Sequence, residues 1–229
     1  MNSIIRQLWV VSALIAVAAQ AHAQRITSPY RFLDSNQQVG GFVAQIWPDE
    51  GSVGLGATSG MAFGAHYALR IGGPFMIEAE GLYFPTERAV LDTVVVDSAF
   101  QQIGTADQTL VIATAALRFN LTGPRAWHGL QPFVKFGLGA ALETQTDDDE
   151  ANKAPNEARL DFGTSFAGVL GAGIAWLPSS HFAIRVDGRN LLWKLQTPPA
   201  LLRGDLGRSI PQDEWLQNFT VSAGVSILF

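Results

Sequence analysis

The chain of 229 residues has no cysteine. No disulfide framework holds it together, and an oxidising compartment is neither required nor excluded. Charge is sparse: Asp, Glu, Lys and Arg make up 15% of the residues, with a formal net charge of −5. No basic stripe runs through it, which argues against a nucleic-acid partner. A membrane-spanning helix is missing too. The apolar run from Leu8 to Ala19 covers 12 residues, whereas a helix needs roughly 20 to cross hydrocarbon. Gly137-x-Gly139 and Gly171-x-Gly173 sit inside strand-like stretches with no helix after them, so neither is a nucleotide loop. No cofactor or metal motif was found. Asp147-Asp148-Asp149-Glu150 is acidic but lacks the spacing of a calcium loop, and reads first as a solvated loop.

Arg6 before the apolar run and Ala21-His22-Ala23 after it are the parts of a secretion signal, with cleavage expected before Gln24. Residues 1–23 are then a cleaved signal peptide. Residues 24–36 show no clear period and read as a short lead-in, and residues 37–229 as one domain.

What the chain has in quantity is alternation. Between Asn218 and Phe229, the residues Phe219, Val221, Ala223, Val225, Ile227 and Phe229 are apolar, and Thr220, Ser222, Gly224 and Ser226 between them are small or polar. Leu228 alone breaks the second set. A period of two puts one set on each face of a strand. Similar stretches fall at 39–47, 60–71, 75–84, 108–121, 131–142, 163–177 and 182–193, eight strands with the last. Gly72-Gly73-Pro74 marks a tight hairpin. Short turns near 73, 126 and 179 alternate with long loops near 48, 86, 144 and 194. The stretch Ala89 to Phe100 (AVLDTVVVDSAF) is too apolar for an ordinary loop. It reads first as an extension of the flanking strands that folds onto the rim, and second as a protruding edge that an extended segment of a partner can join. A count of ten strands follows if 89–106 or 196–210 also cross the membrane.

A strand of this kind ending on an aromatic residue resembles the terminal strand of outer-membrane β-barrels. Ser222, Gly224, Ile227 and Phe229 fit that family's insertion signal. The likeness extends over the region after the signal peptide, and is to small OmpA- and OmpX-like eight-stranded barrels. It implies an all-β fold, a transmembrane antiparallel up-and-down barrel with a side-chain-filled lumen. It further implies export by a Sec-type route, insertion by the barrel-assembly machinery, both termini in the periplasm, contact with outer-membrane lipid and lipopolysaccharide, and a monomer. The acidic run at 147–150 would then lie where divalent cations bridge lipopolysaccharide phosphates. Aromatics fall where two interfacial girdles belong: Phe75, Phe119, Trp176, Phe182 and Phe229 at one end, Tyr83, Phe166, Trp215 and Phe219 at the other.

The inward positions carry His66, Arg70, Glu78, Glu80, Arg118, Lys135, Arg185, Asp187 and Arg189. Centring the first hairpin on Gly73 sets Arg70 against Met76, diagonal to Glu78, and His66 against Glu80. Centring the 176–182 turn on Ser179 sets Arg185 against Gly173 and Asp187 against Gly171. A connected salt-bridge network across the lumen is expected, because an unpartnered charge there is costly. Three functions fit such a barrel. A structural, adhesive or surface-binding role comes first, a narrow ion or small-solute channel second, and a lipid A-modifying enzyme third. Ser180-His181 with Asp187 offers only a superficial hydrolase trio, and none of His66, His128 and His181 lies in a lipid-modifying motif. The chain therefore reads as non-enzymatic.

Overall fold

The computed structural model describes residues 28–96, 99–144, 153, 155, 158–160, 162–203 and 209–229. The signal-peptide segment and the acidic run at 147–150 lie outside them. Among the described residues the chain forms β1 (Tyr30–Phe32), β2 (Gln37–Trp47), β3 (Gly60–Gly72), β4 (Phe75–Val96), β5 (Ala99–Asn120), β6 (Arg125–Trp127), β7 (Leu130–Glu143), β8 (Thr164–Trp176), β9 (Phe182–Gln196) and β10 (Asp213–Leu228). Eight of these close an antiparallel ring in the order β2-β3-β4-β5-β7-β8-β9-β10, with β10 returning to β2. That last seam runs from Phe219 against Trp47 to Leu228 against Gln38. Below it, Phe229 accepts from the backbone N–H of Gln37 at 2.9 Å and donates to Gln37 at 3.0 Å. Closure leaves no ring strand with an unpaired side, as a sheet surrounded by lipid requires.

The alternation in sequence becomes two faces of one wall. Phe136, Leu138, Leu170, Val225 and Ile227 are exposed on the outside, while Glu78, Arg118, Lys135 and Ser222 are buried inside. Both aromatic groups lie on the outer face. At one end Phe75 packs on Phe119 with ring centroids 5.2 Å apart. At the other, Trp47 stacks on Phe219 and Phe166 meets Trp215 edge-on. Gly73, with φ of 51°, takes the left-handed conformation that the first tight turn needs.

Three expectations change. The lead-in is not featureless: β1 pairs with β6, Arg31 opposite Ala126, and this small ribbon lies at the short-turn end. The Arg31 guanidinium holds it there, donating to the carbonyls of Leu177 (2.9 Å) and Ser179 (3.0 Å). A strand of three residues is too short to show a period. The count of ten is also superseded, because residues 89–106 lengthen β4 and β5 instead of adding crossings. Their ladder continues to Val96 against Ala99, past Tyr83 against Phe63 and Leu110 against Glu143, where the neighbouring ladders end. Finally, the β8–β9 turn is centred on Ser180. Arg185 faces Ala175, Asp187 faces Gly173 and Arg189 faces Gly171. That is a slip of two from the expected register. A slip of two preserves which face each side chain takes, so inside and outside stay as predicted.

The lumen is filled in three layers. At the short-turn end Leu33, Ala126, Ala175, Leu177, Ala183 and Leu228 form an apolar floor. Leu228, the residue that broke the polar set of the last strand, belongs there. Above the floor lies a charged layer. Over that is a second apolar layer that includes Ile46, Phe84, Ile112, Leu191 and Trp193, with Leu55, Leu160 and Leu201 brought in by the long loops. The expectation of a polar lumen therefore holds for the middle layer, while the layers above and below are largely apolar with single polar residues such as Asn218 beside Leu191.

Candidate functional site: the charged layer of the lumen

Glu78, fully buried on β4, is the hub. Its carboxylate takes Arg185 of β9 in a two-pronged bond, with Nη1 at 2.7 Å and Nη2 at 3.0 Å. It also accepts from Lys135 of β7 at 3.0 Å. Lys135 bridges on to Glu80 at 2.9 Å, and Glu80 in turn binds Arg189. Asp187 receives the Arg185 Nε–H at 3.0 Å and the Ser222 hydroxyl at 2.9 Å. Strands on opposite walls are thus tied by ionic hydrogen bonds running across the barrel axis. A planar guanidinium forked onto a carboxylate is the strongest of these contacts.

Two aromatic side chains space the cations. Phe133 carries Arg118 at 4.1 Å and Arg185 at 4.5 Å from its ring centre, and Phe42 carries Arg189 at 4.8 Å. Glycine makes room for both rings. A Cβ on Gly173 would lie 2.6 Å from the Phe133 ring and one on Gly64 would overlap the Phe42 ring, while one on Gly224 would lie 2.6 Å from the Cβ of Phe42. Gly224 therefore matters to packing as well as to the terminal pattern in which it was noticed.

Of the nine inward residues singled out, Glu78, Glu80, Arg118, Lys135, Arg185, Asp187 and Arg189 meet in this layer. His66 faces Glu80 across the β3–β4 ladder, but its Nε2 bonds the Ser226 hydroxyl at 3.1 Å instead. Arg70 does not join. It faces Met76 as expected, yet it lies low on its strand and reaches down to the Leu33 carbonyl at 2.7 Å, anchoring the lead-in. The hydrolase trio is not assembled either. Ser180 and His181 touch at 2.9 Å on the exposed turn, while Asp187 is engaged inside the barrel. Sequence reasoning missed Gln38, Asn120, Phe42, Phe133 and Ser226 as members of the layer. Their inward parity was the available signal, but uncharged residues did not stand out.

A closed ring of eight strands, apolar outside and ion-paired within, has the architecture of a membrane barrel. Residues 10–227 match the outer membrane protein beta-barrel domain family. The chain belongs to that family. It is an outer-membrane barrel. Among curated proteins nothing matches it. Among solved structures it is similar to OprG from Pseudomonas aeruginosa, at 12% identity and a TM-score of 0.55, over 86% of this chain and 97% of that one. It is also similar to Neisserial surface protein A, at 11% identity and a TM-score of 0.50, over 88% and 98%. At such identities these likenesses speak of fold alone. The layered filling of this outer-membrane barrel rests on its own side chains.

Proposed function

We propose that this outer-membrane barrel is a closed, non-enzymatic wall element that presents its long loops for structural or adhesive contact. The observation that carries this reading is the ion-paired layer. Passage along the axis would have to separate Glu78 from Arg185 and Lys135, each buried, and breaking such a pair costs about 3–5 kcal/mol. The apolar layers above and below close the same path a second and third time.

In this reading the short turns and both chain ends lie in the periplasm after Sec-type export, because small barrels keep short turns on that side. The terminal strand, with Ser222, Gly224, Ile227 and Phe229, is what the barrel-assembly machinery engages. The girdle of Trp47, Phe166, Trp215 and Phe219 seats the outer rim among lipopolysaccharide headgroups, and the barrel acts as a monomer. The β4–β5 hairpin, continuing beyond its neighbours' last rungs, is the surface offered to a partner, its edge able to accept an extended segment.

Single-channel recording of the folded protein in a planar bilayer tests the closed lumen. No current steps are expected. Reproducible steps would overturn the reading and put a narrow channel in its place.

A further inference from the structure

The charged layer does not balance. Arg118, Lys135, Arg185 and Arg189 stand against Glu78, Glu80 and Asp187, one positive charge in excess. The excess can be placed. Arg185 is satisfied by Glu78 and Asp187, Lys135 by two carboxylates, and Arg189 has Glu80 with Asp187 nearby. Arg118 fares worst. Its one carboxylate contact is Glu78 Oε2 at 3.5 Å, an oxygen that Arg185 already holds at 2.7 Å.

Around Arg118 the unsatisfied groups are all donors. Its Nε–H goes to the Asn120 side-chain oxygen at 3.0 Å and its Nη1–H to the Gln38 side-chain oxygen at 3.1 Å. A guanidinium has only donors, so both amides must turn their oxygens toward it and their NH2 groups away. Those NH2 groups, Gln38 Nε2 and Asn120 Nδ2, have no partner, and neither has Arg118 Nη2. All three residues are at least 96% buried, with relative exposures of 4%, 1% and 0%. Buried donors left unmade are costly, and a buried cation more so. Water would supply acceptors but would leave the charge uncompensated. An anion does both.

The geometry points to a halide-binding site in the lumen, formed by the side chains of Arg118, Gln38 and Asn120 just above the apolar floor. Its ligand is a monatomic anion, chloride in the cell. The Phe133 ring, 4.1 Å from the Arg118 guanidinium, and Met76 across the ladder give the site apolar walls, which favour a small, weakly hydrated anion over a strongly hydrated oxyanion such as phosphate. This inference does not depend on what the loops bind.

The test uses the folded barrel purified from membranes and its urea unfolding midpoint at constant ionic strength. Replacing sodium gluconate by sodium chloride should raise the midpoint to a plateau, and bromide should do the same. In Asn120→Asp a carboxylate takes the place of the ion beside Arg118, so the midpoint should be high in gluconate and unresponsive to halide. Arg118→Met should also lose the response. Equal wild-type midpoints in the two salts would overturn the site, as would an undiminished response in Asn120→Asp. If either variant fails to fold, bromide-soaked crystals of the unaltered protein decide. An anomalous peak within hydrogen-bonding distance of Arg118 Nη2 supports the site, and bromide found only elsewhere refutes it.

Discussion

The charged and the upper apolar layers fill the same ring of strands by different physics. In the charged layer, filling depends on direction: Glu78 must meet Arg185 along two bonds and Lys135 along a third. In the apolar layer, Phe84, Ile112, Leu191 and Trp193 need only shape and volume. Eight strands leave a space that either kind of side chain can occupy. What differs is tolerance. The charged layer accepts few changes because each partner removed strands a buried charge, while the apolar layer tolerates exchange between side chains of similar volume.

The sharpest way to break this contrast is to make near-isosteric changes in both layers. Glu78→Gln keeps size but removes the charge shared by Arg185, Lys135 and Arg118, and should cost about 3–5 kcal/mol in urea unfolding of the folded barrel. A loss below about 1 kcal/mol would mean that the lattice contributes little and that the two layers are alike. Ser222→Ala should cost less, roughly 1.5–3 kcal/mol, because it deletes one hydroxyl bond to Asp187 and leaves that carboxylate with Arg185. The same variant separates two roles of the terminal strand. Reduced stability with normal membrane levels would assign Ser222 to the finished lumen, and reduced levels with normal stability to insertion. Leu191→Met should show the smallest effect, under about 1.5 kcal/mol, since the apolar layer repacks around a side chain of similar volume. A cost equal to that of Glu78→Gln would erase the contrast from the other side.

Much of this could be read from residue order. Alternation separated the two faces of the ring strands but left open which face of β2 is inside, where the apolar set Phe42, Ala44 and Ile46 lines the lumen; the apolar stretch at 89–100 announced the long hairpin. The inward charges stood out because Arg and Glu are conspicuous in a segment otherwise fit for lipid. Gln38, Asn120 and Ser226 did not, being ordinary residues at inward positions, and the ribbon of β1 and β6 was too short to carry a pattern.

Sequence by itself determined the wall. A period of two, a glycine turn and short connections specify antiparallel neighbours, and those properties are local to the chain. Only the tertiary structure decided what fills the wall. Arg185 and Glu78 are 107 residues apart and meet across the axis, so their pairing depends on closure of the ring and on the register of every strand between them. The two-residue slip at the β8–β9 turn shows the limit plainly. It leaves inside and outside untouched, and yet it decides which side chain stands opposite Gly173. Local pattern sets the face of each residue, and long-range closure sets its partner.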